Sequence, residues 1–373
     1  MNLKKLSLST CVLAILAIVT YFVKNGDTSM PEDPRIGQGL VDLDTLPKTK
    51  SIEIKADDNQ FELVMSSKES SWIMPDLHSL PVNMDTLGRF VTRLTDARLE
   101  RIASRKPERI AELGFGSKSV AFKDENGSVL VSVKLGRETD TGKQIVKYGD
   151  EDLAFIADDQ FSLNSDPLSW LDKSLLTIDR DAIRSARIEL PNGESLSVAR
   201  DSAEADWTTD DSLPEGKRLD QGAITRALNR FANVSFTQLA ELDSDVVSDA
   251  AANSASFEIT MDDEKSYSIS IGRRPEVKTT KEVETENENG ETVTETQEEV
   301  ETPAGPVIIK IESSDGSDPI NEYMDETAFE VASYLFSNVP QSLDSLLEDE
   351  PETEVDAADS SGENDETPRS DAD

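Results

Sequence analysis

The chain has 373 residues, of which 76 are Asp or Glu and 37 Lys or Arg, so its formal net charge is −39. Only 36% are hydrophobic and 5% aromatic, which leaves part of the chain outside any packed core. The charge excludes nucleic acid as a partner, because a phosphate backbone demands a basic footprint. One Cys excludes an internal disulfide framework and a Cys-based zinc site.

Leu6 to Val23 is an apolar stretch of 18 residues without a charge. As a helix it would span roughly 27 Å, close to the hydrocarbon thickness of a bilayer. Lys4 and Lys5 precede it, and Asp27, Glu32 and Asp33 follow Lys24. The positive-inside rule then keeps the N-terminus in the cytoplasm and sends the bulk of the chain across the membrane. The sequence NGDTSM offers no clean cleavage site, and Cys11 sits within the apolar run, not after it as a lipoprotein requires. Residues 1–23 therefore read as one uncleaved transmembrane helix, with Cys11 a small apolar filler. Residues 24–50, rich in Pro, Gly and Asp, read as a spacer.

From residue 51 one unit occurs twice. SIEIKADDNQFELVM (51–65) and SARIELPNGESLSV (185–198) alternate apolar and polar around a turn, the pattern of a half-buried hairpin. Phe61, Leu63 and Trp72 map to Leu196, Val198 and Trp207 at an offset of 135. Next comes an amphipathic helix in each copy, capped by Asn83 and by Asp220. Leu87, Val91 and Leu94 match Ile224, Leu228 and Phe231 at an offset of 137. A second hairpin follows: Val131, Val133, Leu135 and Gly136 match Tyr267, Ile269, Ile271 and Gly272 at an offset of 136. Ile145 to Tyr148 then matches Ile308 to Ile311 at an offset of 163, which requires an insertion of 27 residues in the second copy.

That insertion, Glu276 to Glu301 within 276–303, holds ten Glu and two Lys. It buries too little apolar surface to offset its ordering entropy and reads as a mobile loop, a protruding ribbon being the alternative. From Asp344 onward there are thirteen acids and one Arg, and residues 346–373 read as a solvated, disordered tail. The predicted class is α+β: two tandem antiparallel hairpin–helix–hairpin repeats (51–178 and 179–345) packed together behind one transmembrane helix.

No residue pattern announces a reaction. His78 is the single His and stands in a loop without a nucleophile elbow. The many carboxylates read as solvated surface. Asp124–Gly127 and Ser314–Gly316 resemble fragments of calcium loops but lack the full ligand series, so they read as turns. No cofactor or metal signature emerges. Trp72 and Trp207 occupy the same place in both copies; they are either core anchors under the helix or stacking platforms for a ligand.

Trp72 closing a strand pair, the capped helix, Glu112-Leu113-Gly114, the hairpin ending in Leu135-Gly136 and the partial recurrence of the unit together resemble a bacterial family, the domain of unknown function designated forty-three-forty. The resemblance is traced over residues 51–345. It implies an inner-membrane protein with a periplasmic domain, encoded beside ABC-transporter or gliding-motility-type auxiliary components, and it carries over no functional residue. The expected role is a non-enzymatic accessory or scaffold subunit of a membrane complex with protein partners. The alternative is an envelope-glycan or ligand-binding module that uses the groove between the repeats.

Overall fold

The computed structural model describes residues 33–67, 71–286 and 292–350. The expected transmembrane helix and residues 351–373 of the acidic tail lie outside the described residues. Among the described residues no helix is long and apolar enough to cross a membrane. The chain divides after Asp172 into two compact units.

In the first unit, β1 (Ser51–Ala56) and β2 (Asn59–Met65) form the hairpin, and β3 (Trp72–Met74) and β4 (Leu80–Pro81) extend its outer edge. Then come α1 (Met84–Asp96), β5 (Leu99–Ser104), a short α2 (Pro107–Ala111), the hairpin β6 (Lys118–Lys123) and β7 (Val129–Glu138), β8 (Gln144–Tyr148) and β9 (Ala154–Ala157). All nine strands lie in one antiparallel sheet ordered β4-β3-β2-β1-β6-β7-β8-β9-β5. Alternation decides the face: Ile52, Ile54, Val120, Phe122, Val133 and Leu135 are buried while their strand neighbours are more exposed.

In the second unit, β10 (Ser174–Thr177), the hairpin β11 (Ile183–Glu189) and β12 (Ser195–Ala199), β13 (Lys217–Leu219), α3 (Gln221–Asn229) and β14 (Asn233–Ala240) come first. They are followed by α4 (Asp245–Ala252), β15 (Ser254–Met261), β16 (Ser266–Gly272), β17 (Val277–Glu286), β18 (Thr292–Thr302) and β19 (Val307–Ser313). The unit ends with α5 (Pro319–Glu326), β20 (Ala328–Val331), α6 (Tyr334–Ser337) and β21 (Leu347–Asp349). Its main sheet is ordered β10-β14-β20-β19-β16-β15-β11-β12. Read from β12, this order follows β2-β1-β6-β7-β8-β9-β5 of the first unit strand for strand.

These findings correct the expected fold class. The described chain is mostly antiparallel sheet, about 40% strand against 22% helix, not α+β built of hairpin–helix–hairpin repeats. Two short runs escaped the alternation test. Ala154–Ala157 is buried at all four positions, so it lacks the half-buried period that marks a strand. Leu99–Ser104, directly after α1, carries only a weak pattern and pairs with β9 at the far edge.

Three further expectations change. Residues 33–50 of the spacer are packed: Leu40 and Val41 are 1% exposed, and Gly37, Leu40 and Val41 donate backbone bonds of 2.7–3.1 Å to the carbonyls of Leu99, Ala97 and Leu94. Arg35 bridges Asp33 and Glu151, each at 2.9 Å, over the rings of Tyr148 and Phe155. The Arg35 side chain holds the Asp33 carboxyl below its usual range. Burial pushes the Tyr148 hydroxyl up to about 12, so at neutral pH it stays a donor to the Leu40 carbonyl at 2.9 Å.

The acidic insertion is no loop in its described part. β17 and β18 pair with each other over ten residue pairs and belong to a two-stranded sheet of their own. The tail also begins later than expected. Leu346 and Leu347 are buried, and β21 pairs with β13.

Candidate functional site in the second unit

Trp207 is 4% exposed. Its backbone N–H donates to Gln221 Oε1 at 2.6 Å, Gln221 Nε2 donates to its carbonyl at 3.0 Å, and its indole N–H donates to Thr225 Oγ1 at 3.1 Å. The Arg200 guanidinium lies 4.6 Å from the ring centre. Thus Trp207 fastens α3 to the sheet and presents no open ring face. Trp72, in the first unit, is half-buried in β3 opposite Met65. His78 is exposed in a left-handed turn (φ 53°) after a short 3-10 helix. The two calcium-like fragments are turns: Asp124 accepts from the N–H of Asn126 and Ser128, and Asp315 from that of Ser317. Among the described residues no three His, Cys, Asp or Glu gather as a metal site.

A cleft of about 730 Å³ lies between α3 and the segment 334–346, within the usual range for small-molecule sites. Its helix wall carries Arg226, Ala227 and Arg230, and its opposite wall Tyr334, Leu335 and Val339. Amide and hydroxyl groups of Asn338, Gln341, Ser342 and Ser345 complete it. About one residue in five of the chain is acidic, yet none of the fourteen lining residues is.

Helix geometry builds the cationic wall, because residues four apart share a face. Arg230 is half-buried; its Nε donates to the Ala227 carbonyl at 3.0 Å and its Nη1 to the Leu335 carbonyl at 3.2 Å. Burial pushes its guanidinium down to about 10, so it remains charged at neutral pH. It forms no ion pair among the described residues, and neither does the exposed Arg226. Tyr334 is 63% exposed and offers an open aromatic ring. The arrangement can hold an anionic group against two guanidiniums and an apolar body against Tyr334, Leu335 and Val339.

The cleft has no local signature in the sequence: α3 shows there only its apolar stripe, and the opposite wall comes from a segment more than a hundred residues later.

The match to known families spans both units. Residues 72–256 match the family model described as Domain of unknown function (DUF4340). The chain carries a DUF4340 domain. The match begins at Trp72 and ends inside β15, narrower than the expected span 51–345. The DUF4340 match includes α3 and its two arginines but stops short of the opposite wall of the cleft. No curated protein matches the chain, and no solved structure does.

Proposed function

We propose that the protein is a non-enzymatic, single-pass inner-membrane protein whose periplasmic part serves as an accessory or scaffold subunit of a membrane complex, of the ABC-transporter kind that the family resemblance implies. The observation that supports this reading most is the entry of the chain into the first unit. From Asp33 onward it is held by the Arg35 ion pairs and by backbone bonds to Leu94, Ala97 and Leu99. Nine residues separate Val23 from Asp33, a reach of at most about 30 Å. An anchor joined so briefly to a clamped segment sets the first unit close to the bilayer, where a subunit that docks on membrane proteins has to stand. A long flexible linker would instead suit a freely searching binding protein.

The test is purification of the tagged full-length protein from gently solubilised membranes, beside a variant lacking residues 1–23. Stoichiometric co-purification of transporter subunits with the full-length protein, lost with the truncation, is the expected result. A partner-free monomer from both preparations contradicts the proposal.

A further inference from the structure

The two units place the same helix at the same point, and one of them shows what the cleft lacks. At the offset of 137 that relates α1 to α3, Arg89, Phe90 and Arg93 correspond to Arg226, Ala227 and Arg230. In the first unit this site is filled. Phe90 meets the buried Trp170 edge-on, with ring centres 5.0 Å apart. Arg93 donates to the Gln160 carbonyl and pairs with the Asp159 carboxylate at 3.2 Å.

In the second unit Ala227 replaces the Phe90 ring. Arg230 keeps the equivalent bond to a backbone carbonyl beyond the last strand, that of Leu335. The acid is missing: counted from Phe155 and Phe329, which lie on the corresponding strands β9 and β20, Asp159 corresponds to Ser333. Arg226 adds a second cation on the same wall. What the Phe90 ring and the Asp159 carboxylate supply in the first unit is, among the described residues, open space and a guanidinium without an ion pair in the second.

We propose that the cleft of the second unit binds a small carboxylate-bearing ligand, whose carboxylate takes the place that Asp159 holds beside Arg93 and whose body fills the space that the Phe90 ring occupies, against Leu346 in the place of Trp170. A carboxylate suits the planar guanidinium fork. The ring of Tyr334 covers the apolar part, and Asn338 and Gln341 meet amide groups. This site is independent of the membrane tether and of any docking partner.

The experiment is calorimetric titration of the full-length protein with the N-acetylated tripeptide Glu-Ala-Ala. Its amidated Gln counterpart and inorganic phosphate serve as parallel probes. Saturable binding of the acidic peptide, at least tenfold weaker in Arg226→Gln and lost in Ala227→Phe, is expected. Arg226 is exposed, so its replacement leaves the melting temperature unchanged. Ala227→Phe refills the cleft as Phe90 does, and Arg226→Gln decides the matter if that variant fails to fold. No saturation by 10 mM peptide, equal binding of the neutral peptide, phosphate binding without peptide binding, or indifference to Arg226→Gln each overturns the proposal.

Discussion

The two units share a seven-strand sheet and differ in what surrounds it. Both cap their main helix with a side chain that accepts from the third residue on, Asn83 from Thr86 and Asp220 from Ala223. Both also use a glycine to admit a helix end onto the sheet. A Cβ on Gly136 would lie 2.6 Å from the Leu113 carbonyl oxygen, and one on Gly272 would run into that of Ala250. The differences lie outside the shared core. The first unit adds β3 and β4 at one edge, where the second has only the bridge between Ala199 and Thr208. The second adds β10, the acidic ribbon and α5, and leaves a cleft where the first has the Phe90 ring, with Leu346 standing in the place of Trp170. Shared positions therefore secure packing, and positions that differ between copies are where binding is to be sought.

The plug of the first unit gives the largest expected effect. Trp170 is 3% exposed, packs on Phe61 and Phe90, and donates its indole N–H to the Asn164 carbonyl. Trp170→Ala should cost about 4 kcal/mol in urea unfolding. Tyr334→Ala, at the open cleft, should cost less than about 0.5 kcal/mol. Equal losses would break the contrast between plug and cleft.

Gly136→Ala and Gly272→Ala should each cost about 2–3 kcal/mol, because a backbone carbonyl cannot move aside as a side chain can. Gly193→Ala, at the φ +85° hairpin turn with open space around it, should cost only about 1 kcal/mol. A neutral Gly272→Ala beside a costly Gly136→Ala would show that the two glycines do different work.

A smaller effect concerns charge. Glu53 and Glu62 face each other across β1 and β2, and Lys123 reaches both, at 2.7 and 3.1 Å. The bond to Glu53 raises the Lys123 ammonium above its ordinary value of 10.5. Burial alone would raise Glu62, but Ser51 and Lys123 bring it below its ordinary 4.5. A lowered carboxylate stabilises above its unfolded value and loses that contribution as pH falls; a raised ammonium loses its contribution as pH rises. Lys123→Met should therefore cost about 1 kcal/mol at neutral pH, after allowance for solvent screening, and the loss should shrink near pH 3. A pH-independent loss would assign the effect to packing.

The smallest effect is expected at the ribbon. Because β17 and β18 are hydrogen-bonded to no other strand among the described residues, replacing residues 277–302 by a short Gly-Ser turn should leave the melting temperature within about 2 °C. A larger drop, read by calorimetry, would show that the ribbon supports the sheet.

Much of the shared core was legible because local chemistry writes it: the caps at Asn83 and Asp220, the alternation in the hairpins, and the paired glycines at one offset. Ala154–Ala157 was not, since a strand buried on both faces has no period to detect. Trp170 corresponds to Leu346, which accepts the same bond from the helix cap, but at an offset of 176 in place of 137, so the repeat pattern does not reveal it. The cleft was illegible for a related reason. Arg93 and Arg230 look alike in sequence, and only the acid 66 residues from Arg93, absent at the corresponding place in the second unit, tells them apart.

A short, clamped tether is proposed to hold the first unit close to the membrane and its partners. Inserting about twenty Gly and Ser residues after Asn25 adds roughly 25 Å of flexible reach without touching the Arg35 clamp. Quantified co-purification from gently solubilised membranes should fall at least tenfold, with the protein still membrane-bound and its melting temperature unchanged. Undiminished recovery of the same partners would contradict the claim.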